Sequence, residues 1–584
     1  MNKKPTGFLL GCLVLCGTVF TSARAQDQPR IVNIVNFIRL LEPRDSAVTE
    51  DVLYQTVVRQ VEMMRKNRLG GTFLLQYDAL MDGRYQQLLR SLPKDSFDIG
   101  AWWEIPQPLV EKAGLVWRGR YPWDWRANIG FSTGYTPEER KKLADVYMAD
   151  FKKIFGYYPK SVGCWFIDEV TLDYLYHKYG IVASCNCKDQ SGTDGYTLWG
   201  GYWNQAYYPS KVNAYMPAQD EGDEIHVPIF RMLGSDPIRQ YDNGVGAQRQ
   251  RVVTLEPVYP EAGGDSAWVN WFFKELVGGE SLAFGYTQAG QENSFTWDAM
   301  AKGLGIQLPL IAQLRDHKKI RVETLAESGR WFREHYRVTP PTAVTVNEDM
   351  GGGDRRTVWY DSRFYRANLL WERTREGAAD IRSDSAVGGS TGMGLRFRDI
   401  HIFNEHFPSP YLSKVATGNE CAFFTLPVVD GYRWSAGGQM AGLRLKTMVN
   451  GKETDIQGGK PVIGESATGA LHITWPLTNV KGTLVIDLDD RSIRMKVEGM
   501  VGKAASAGAE GEAAAWFLDL TTATGTDLPF QRIAARAVQC RFGNMNYSIT
   551  TTKGIFSKPD EAGDEQIAWR LTPEGNELIL KLAD

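Results

Sequence analysis

Gly163-Cys164-Trp165-Phe166-Ile167-Asp168-Glu169-Val170 is an apolar run that stops at two adjacent carboxylates. The run predicts a buried strand over 162–167. Helical spacing follows from Thr171 to Tyr179, Gly180 ends it, and Ile181 opens another apolar run. Strand, acid-bearing turn, helix and strand in that order are the unit of a parallel α/β sheet. In a parallel barrel, residues just past a strand's C-terminal end face the site. Two acids there are costly unless solvated, paired or used.

The same unit recurs on both sides of this stretch. Ile31 to Ile38 predicts a first strand, and 49–67 a helix with Leu53, Val57, Val61 and Met64 on one face. Thr72 to Leu75 and Ile99 to Trp103 predict the next strands, the second ending at Glu104. Thr136-Pro137-Glu138-Glu139 has the residues of a capping box with proline in the first turn, and so starts a helix. Further strands are expected at 181–185, 227–233, 252–258 and 281–287, and helices at 266–277, 297–315 and 323–335. Seven or eight alternating strands without an internal repeat predict a closed (β/α)7–8 barrel. An open doubly wound sheet is the alternative, but Asn36-Phe37-Ile38-Arg39 stands where its glycine-rich turn belongs.

Beyond Thr339-Pro340-Pro341 the period changes. Short alternating runs separated by turn residues continue to Leu582, and predict a β-sandwich. The expected class is therefore α/β plus all-β. The expected division is a signal peptide over 1–25, a barrel over 26–338 and a sandwich over 339–584. The low-complexity stretch 503–514 is expected to be a loop.

The first 25 residues have the parts of an export signal: Lys3 and Lys4, an apolar segment from Phe8 to Phe20, and Ala23-Arg24-Ala25 before Gln26. Export places the protein in the periplasm or at the surface of a Gram-negative cell. No other segment is apolar enough to span a membrane. A net charge of −3 without a basic block argues against a nucleic-acid partner. Five cysteines follow the signal, at 164, 185, 187, 421 and 540. Cys185-Asn186-Cys187 has the wrong spacing for a zinc pair, so buried free thiols are expected.

Gly163-x-Trp165-x-x-Asp168-Glu169 with Leu172, Leu175 and Gly180-Ile181 resembles the glycoside hydrolase/deacetylase β/α-barrel superfamily, which includes glycoside hydrolase families 38 and 57 and polysaccharide deacetylases. The closing segment Leu308 to Leu314, Lys318-Lys319-Ile320 and Thr324 to Glu327 resembles it too, as does the all-β C-terminal part. The whole chain also resembles a group of exported, two-domain Bacteroides-type proteins. The resemblance implies a polysaccharide or oligosaccharide substrate. The deacetylases' Asp-His-His metal set has no counterpart here: His177, His226, His317 and His335 are scattered. Nor has the His-x-Asp of family 38, since the first strand carries Asn33 and Asn36. No metal or other cofactor is expected.

Glycoside hydrolysis needs one carboxyl to protonate the leaving oxygen and a second as nucleophile or base. Glu169, Asp168, Glu292 and Glu104 are the catalytic candidates, because each follows a strand candidate. Asp78, Asp236, Arg231, Gln288, Gln291, Asn36, Trp102 and Trp103 are the candidates for holding substrate. The amides suit sugar hydroxyls, and the aromatic faces suit apolar sugar faces. Glu256 is a further candidate acid, and Arg231 and Lys188 are placed either to bind an acidic sugar or to pair with the rim acids. Two other readings stay open: a non-catalytic glycan-binding protein, and a deacetylase.

Overall fold

The computed structural model describes residues 28–241, 253–373, 392–437, 439–449, 451–499, 516–559 and 566–583. The expected signal peptide and the 503–514 loop lie outside these residues. Seven parallel strands make the body of a nine-stranded first sheet: β1 (Arg30–Ile38), β2 (Gly71–Leu75), β3 (Phe97–Trp102), β4 (Ser161–Gly163), β5 (Ala183–Asn186), β6 (Ile229–Arg231) and β7 (Gly285–Ala289), with Arg321–Glu323 also pairing parallel to β1. They pair in sequence order from β1 to β6, and β7 returns to lie beside β1.

The sheet curls like a barrel but does not close. Among the described residues β6 and β7 share no ladder; instead Ala206–Tyr207 pairs antiparallel with β6 and caps that edge. Side chains bridge the seam, Gln205 Nε2 donating to the Tyr286 carbonyl at 3.4 Å and the Phe230 ring meeting the Tyr286 ring at 4.9 Å. The expected closed barrel is thus corrected to a curled open sheet. The physical reason lies in the run expected as a strand at 252–258, whose described residues 253–258 form no strand. Pro257 has no N–H to give a ladder, and the run is tied by isolated contacts such as the Ser235–Thr254 bridge.

Six main helices accompany the sheet: α1 (Glu50–Lys66), α2 (Pro137–Phe155), α3 (Glu169–Tyr179), α4 (Ser266–Gly278), α5 (Thr296–Asp316) and α6 (Leu325–His335). Thr136 and Glu139 form the expected capping box of α2. α6 ties to the strands' N-terminal halves, through Asn33 Nδ2 to Ser328 Oγ at 2.8 Å and Leu325 N to Thr72 Oγ1 at 2.8 Å. The opposite end, where the strands finish, is the one left to a site.

Gly163 closes β4 because nothing larger fits. An added Cβ would come within 2.4 Å of Leu74 Cδ1 and 2.7 Å of Cys185 Sγ. Gly163→Ala is expected to lower stability by about 1–3 kcal/mol through overpacking, read as a fall in the thermal midpoint. An unchanged midpoint would mean that the neighbours give way freely.

After His335 every regular element among the described residues is a strand, apart from one short 3-10 turn at Pro410–Leu412. Two antiparallel sheets share one apolar core, with Trp371, Phe397, Leu445 and Trp569 from the first and Ile473, Ile486, Met495 and Leu578 from the second. The sandwich expectation and the observed layers agree. The two halves of the chain interlock: Cys421–Phe424 returns to pair with Tyr196–Trp199, and Ser281–Leu282 pairs with Ala343–Val344. A buried charge chain runs across this contact, Arg231–Asp189–Arg366–Asp399–His401. All five described cysteines are free and buried.

Candidate functional site

β1 ends in Arg39, and this side chain organises the strand ends. Its guanidinium grips Glu104 at two points, Nε to Oε2 at 2.9 Å and Nη2 to Oε1 at 2.7 Å. Gln76, just past β2, donates to Glu104 Oε2 at 2.9 Å, and Trp165 Nε1 donates to Oε1 at 2.8 Å. Four donor atoms from three strand ends thus converge on the one carboxylate that follows β3. Arg39 Nη1 also lies 2.8 Å from Glu292 Oε2, beyond β7, though out of line for a hydrogen bond. The Trp123 ring covers the guanidinium at 4.2 Å. Beneath this layer Phe37 stacks on Trp102 at 4.1 Å, and Trp165 meets both edge-on.

Burial is nearly complete: Arg39 is 2%, Glu104 1%, Glu292 4% and Asp78 6% exposed. Burial pushes the Glu292 carboxyl up to about 7; Arg39 opposes the rise and the nearby Glu104 adds to it. Arg39 fails to hold it down because most of its charge is already answered by Glu104. Burial also raises Asp78 to about 7, against the Ala79 and Leu40 N–H groups that favour its charged form. One of its oxygens, Oδ2, has no hydrogen-bond partner.

The Asp78 shift has a consequence for stability. Below pH 4 the carboxyl is protonated whether the chain is folded or not. Between the ordinary value and about 7 the unfolded chain ionises while the folded one holds its proton, so stability falls as pH rises. The loss reaches on the order of 3–4 kcal/mol by pH 8 at about 1.4 kcal/mol per pH unit. Asp78→Asn keeps the acceptor for Ala79 N–H and removes the charge. It should therefore stabilise the protein at pH 8 and do little at pH 4, as denaturant midpoints at the two pH values would show. A gain of equal size at both would refute the assignment.

Gln291 links Glu292 to another acid. Its Oε1 accepts the Glu292 N–H at 2.8 Å, and its Nε2 donates to Glu256 Oε1 at 3.2 Å. Glu256 Oε2 accepts from Thr254 Oγ1 at 2.8 Å. Burial raises this carboxyl also. Glu292 and Glu256 both bear on the Tyr259 hydroxyl, which burial raises most. Glu292, Gln291 and Glu256 are thus one hydrogen-bonded cluster past the strand ends, the acid mouth, with Tyr259 in electrostatic reach and Arg39 and Glu104 as its floor.

Asp168 and Glu169 form a separate group. Asp168 caps α3, accepting from Thr171 N at 3.0 Å and Thr171 Oγ1 at 2.6 Å, and pairs with Arg140 at 2.8 Å. Glu169 Oε2 accepts from Ala214 N at 3.3 Å, while Oε1 has no partner. Burial and the adjacent Asp168 raise its carboxyl. Among the described residues no hydrogen bond or ion pair joins this pair to Glu104 or Glu292, although Trp165 of the same stretch reaches Glu104.

Other sequence candidates are held in the framework. Trp102 and Trp103 are fully buried, and pack on Phe37 and Tyr147 rather than facing solvent as sugar platforms. Asn36 Oδ1 accepts from Gln60 Nε2 and Gln291 N. Asp236 caps the turn at Ile238 and Arg239 and accepts from Trp268. Arg231 pairs with Asp189 at 3.0 Å. Gln288 accepts from Tyr286 at 3.4 Å. Arg39 and Gln76 were missed as site residues. Only Arg39 carried a signal, as a lone cation ending an apolar strand. One cavity lies in the β6–β7 seam against Gln205, Trp271 and Tyr286, and another beside Asp98, Lys160 and Arg330 at the strand starts. Neither touches the acid mouth.

The histidines do not gather: His335 bonds the Trp331 carbonyl, His226 meets Glu224, and His401 meets Asp399. No three His, Cys, Asp or Glu side chains among the described residues are placed to hold a metal ion. The donor set of a metal-dependent deacetylase is therefore not met by these residues.

No family model matches the chain, and no curated protein matches it. Solved structures similar to it include a protein of Parabacteroides distasonis provisionally described as a glycoside hydrolase/deacetylase. It is 15% identical, over 69% of this chain and 91% of that one, with a TM-score of 0.48. Proteins of Mycobacterium smegmatis and Pseudomonas aeruginosa, provisionally described as polysaccharide deacetylases, are each 12% identical. The first matches 55% of this chain and 95% of its own at a TM-score of 0.34, the second 53% and 93% at 0.33. Scores of this size leave function to be read from the site.

Proposed function

We propose that this protein is a carbohydrate-active hydrolase in which Glu292 donates the proton to the leaving oxygen. The observation that carries the reading is a carboxyl only 4% exposed, just past the C-terminal end of parallel strand β7 and 2.8 Å from Arg39, which burial pushes up to about 7. A general acid must be protonated at working pH and still release its proton, and burial achieves that here. Glu256, tied to Glu292 through Gln291, is the second carboxylate. This is the two-carboxylate chemistry of glycosidic cleavage, as in family 57, and needs no bound metal. Glu104, saturated by four donors, positions Arg39. The chain works outside the cytoplasm on an oligo- or polysaccharide.

A second reading, glycan binding without turnover, is favoured by the 4% exposure of Glu292. Deacetylation is the third reading, disfavoured by the scattered histidines. A panel of polysaccharides separates them when binding, reducing-end release and acetate release are all measured. Reducing-end release supports hydrolysis. Binding alone supports the second reading. Acetate release abolished by a chelator supports the third.

A further inference from the structure

The cations around the mouth are balanced, with one exception. Arg39 answers Glu104, Arg44 answers Glu42 at 2.7 Å, Arg231 answers Asp189 and Arg140 answers Asp168. Lys188, two residues beyond the end of β5, is 3% exposed. Among the described residues no carboxylate lies within ion-pair distance of it. Its one hydrogen bond goes to the Asp189 carbonyl, at a long 3.3 Å. An ammonium has three donors, so most of its capacity is unused. A buried ammonium without a counter-charge is costly, and is kept where something else supplies the charge.

The chain places it beside the mouth: the N–H of neighbouring Cys187 donates to the Trp165 carbonyl at 2.7 Å, and the Trp165 indole donates to Glu104 at 2.8 Å. Lys188 is within electrostatic reach of the Glu256 carboxyl and the Cys187 thiol, favouring the charged form of each. Tyr259 is in turn within reach of Glu256, Cys187 and Glu292. The unspent cation and the two mouth carboxyls therefore belong to one buried charge cluster past the strand ends.

We propose that the substrate carries an anionic substituent, a carboxylate or a sulfate ester, and that Lys188 binds it. This rests on the mouth being the glycan site. An anion placed there completes the ammonium's donors and neutralises the remaining charge. A neutral glycan supplies only hydroxyls and leaves the charge unanswered.

The test is affinity electrophoresis of the mature chain in gels containing dextran, polygalacturonate or dextran sulfate, followed by Lys188→Met, Lys188→Arg and Lys481→Met variants. Wild type should be retarded by one anionic gel roughly tenfold more strongly than by dextran. Polygalacturonate retardation identifies a carboxylate, and dextran sulfate retardation a sulfate. Lys188→Met should lose that preference, Lys188→Arg keep most of it, and the exposed control Lys481→Met leave it intact. Equal retardation by all gels, or a preference that survives Lys188→Met, overturns the proposal. A preference lost equally in Lys481→Met shows diffuse surface charge and also overturns it. If Lys188→Met fails to fold, wild-type preference and the Lys188→Arg result decide. Retardation by dextran alone defeats this inference and leaves the hydrolase reading standing, whereas binding to none of a wider polysaccharide panel defeats both.

Discussion

Arg39→Met should destabilise the protein by about 3–5 kcal/mol, the usual cost of removing one partner of a buried ion pair. The loss comes less from the missing contacts than from what remains. Glu104, 1% exposed, would keep only Gln76 and Trp165 as donors to a buried charge. Trp123 would lose the cation beneath its ring. The double variant Arg39→Met with Glu104→Gln should recover much of the loss, because the orphaned charge goes with its partner. Denaturant unfolding of the two singles and the double measures the coupling as a cycle. Additive effects would show that the two-point grip does not hold these strand ends together.

Glu292→Gln should lower kcat at least 100-fold while leaving glycan binding within a few-fold, because the change keeps shape and removes the proton. Arg39 remains paired with Glu104 at 2.7 Å, so the floor of the mouth should survive. Glu169→Gln should have a much smaller effect on turnover, because its carboxyl meets Ala214 and Asp168 rather than the Glu292 mouth.

Much of the fold was legible because the period of the apolar residues changes with each element. β1, β2, α1, α4 and α5 fall within a few residues of their expected bounds. The seam was not legible. Val253 to Val258 reads as a strand by composition, but Pro257 removes a ladder donor and β6 takes a partner from the 206–207 segment instead. The Gly163–Ile167 run shows the limit of periodicity within one element. β4 stops at Gly163, and Trp165 turns its indole N–H to Glu104. Of the candidate acids, Glu104, Glu292 and Asp78 come together because strand ends meet at one rim. Asp168 does not join them, since an aspartate just before a helix has a nearer use as its cap. Trp102 and Trp103 look like a ligand platform in one dimension. In three they fill the space on either face of β3, a distinction that composition does not carry.

The pH dependence of reducing-end release, measured for wild type and Glu292→Gln on a polysaccharide that wild type cleaves, tests the central claim most directly. The wild-type rate should fall above pH 7 in a single proton step, because Glu292 at about 7 loses the proton it must donate. The variant should lose that alkaline limb together with most of the rate. A variant that turns over at the wild-type rate with the same limb would contradict the account, since the proton would then come from another group.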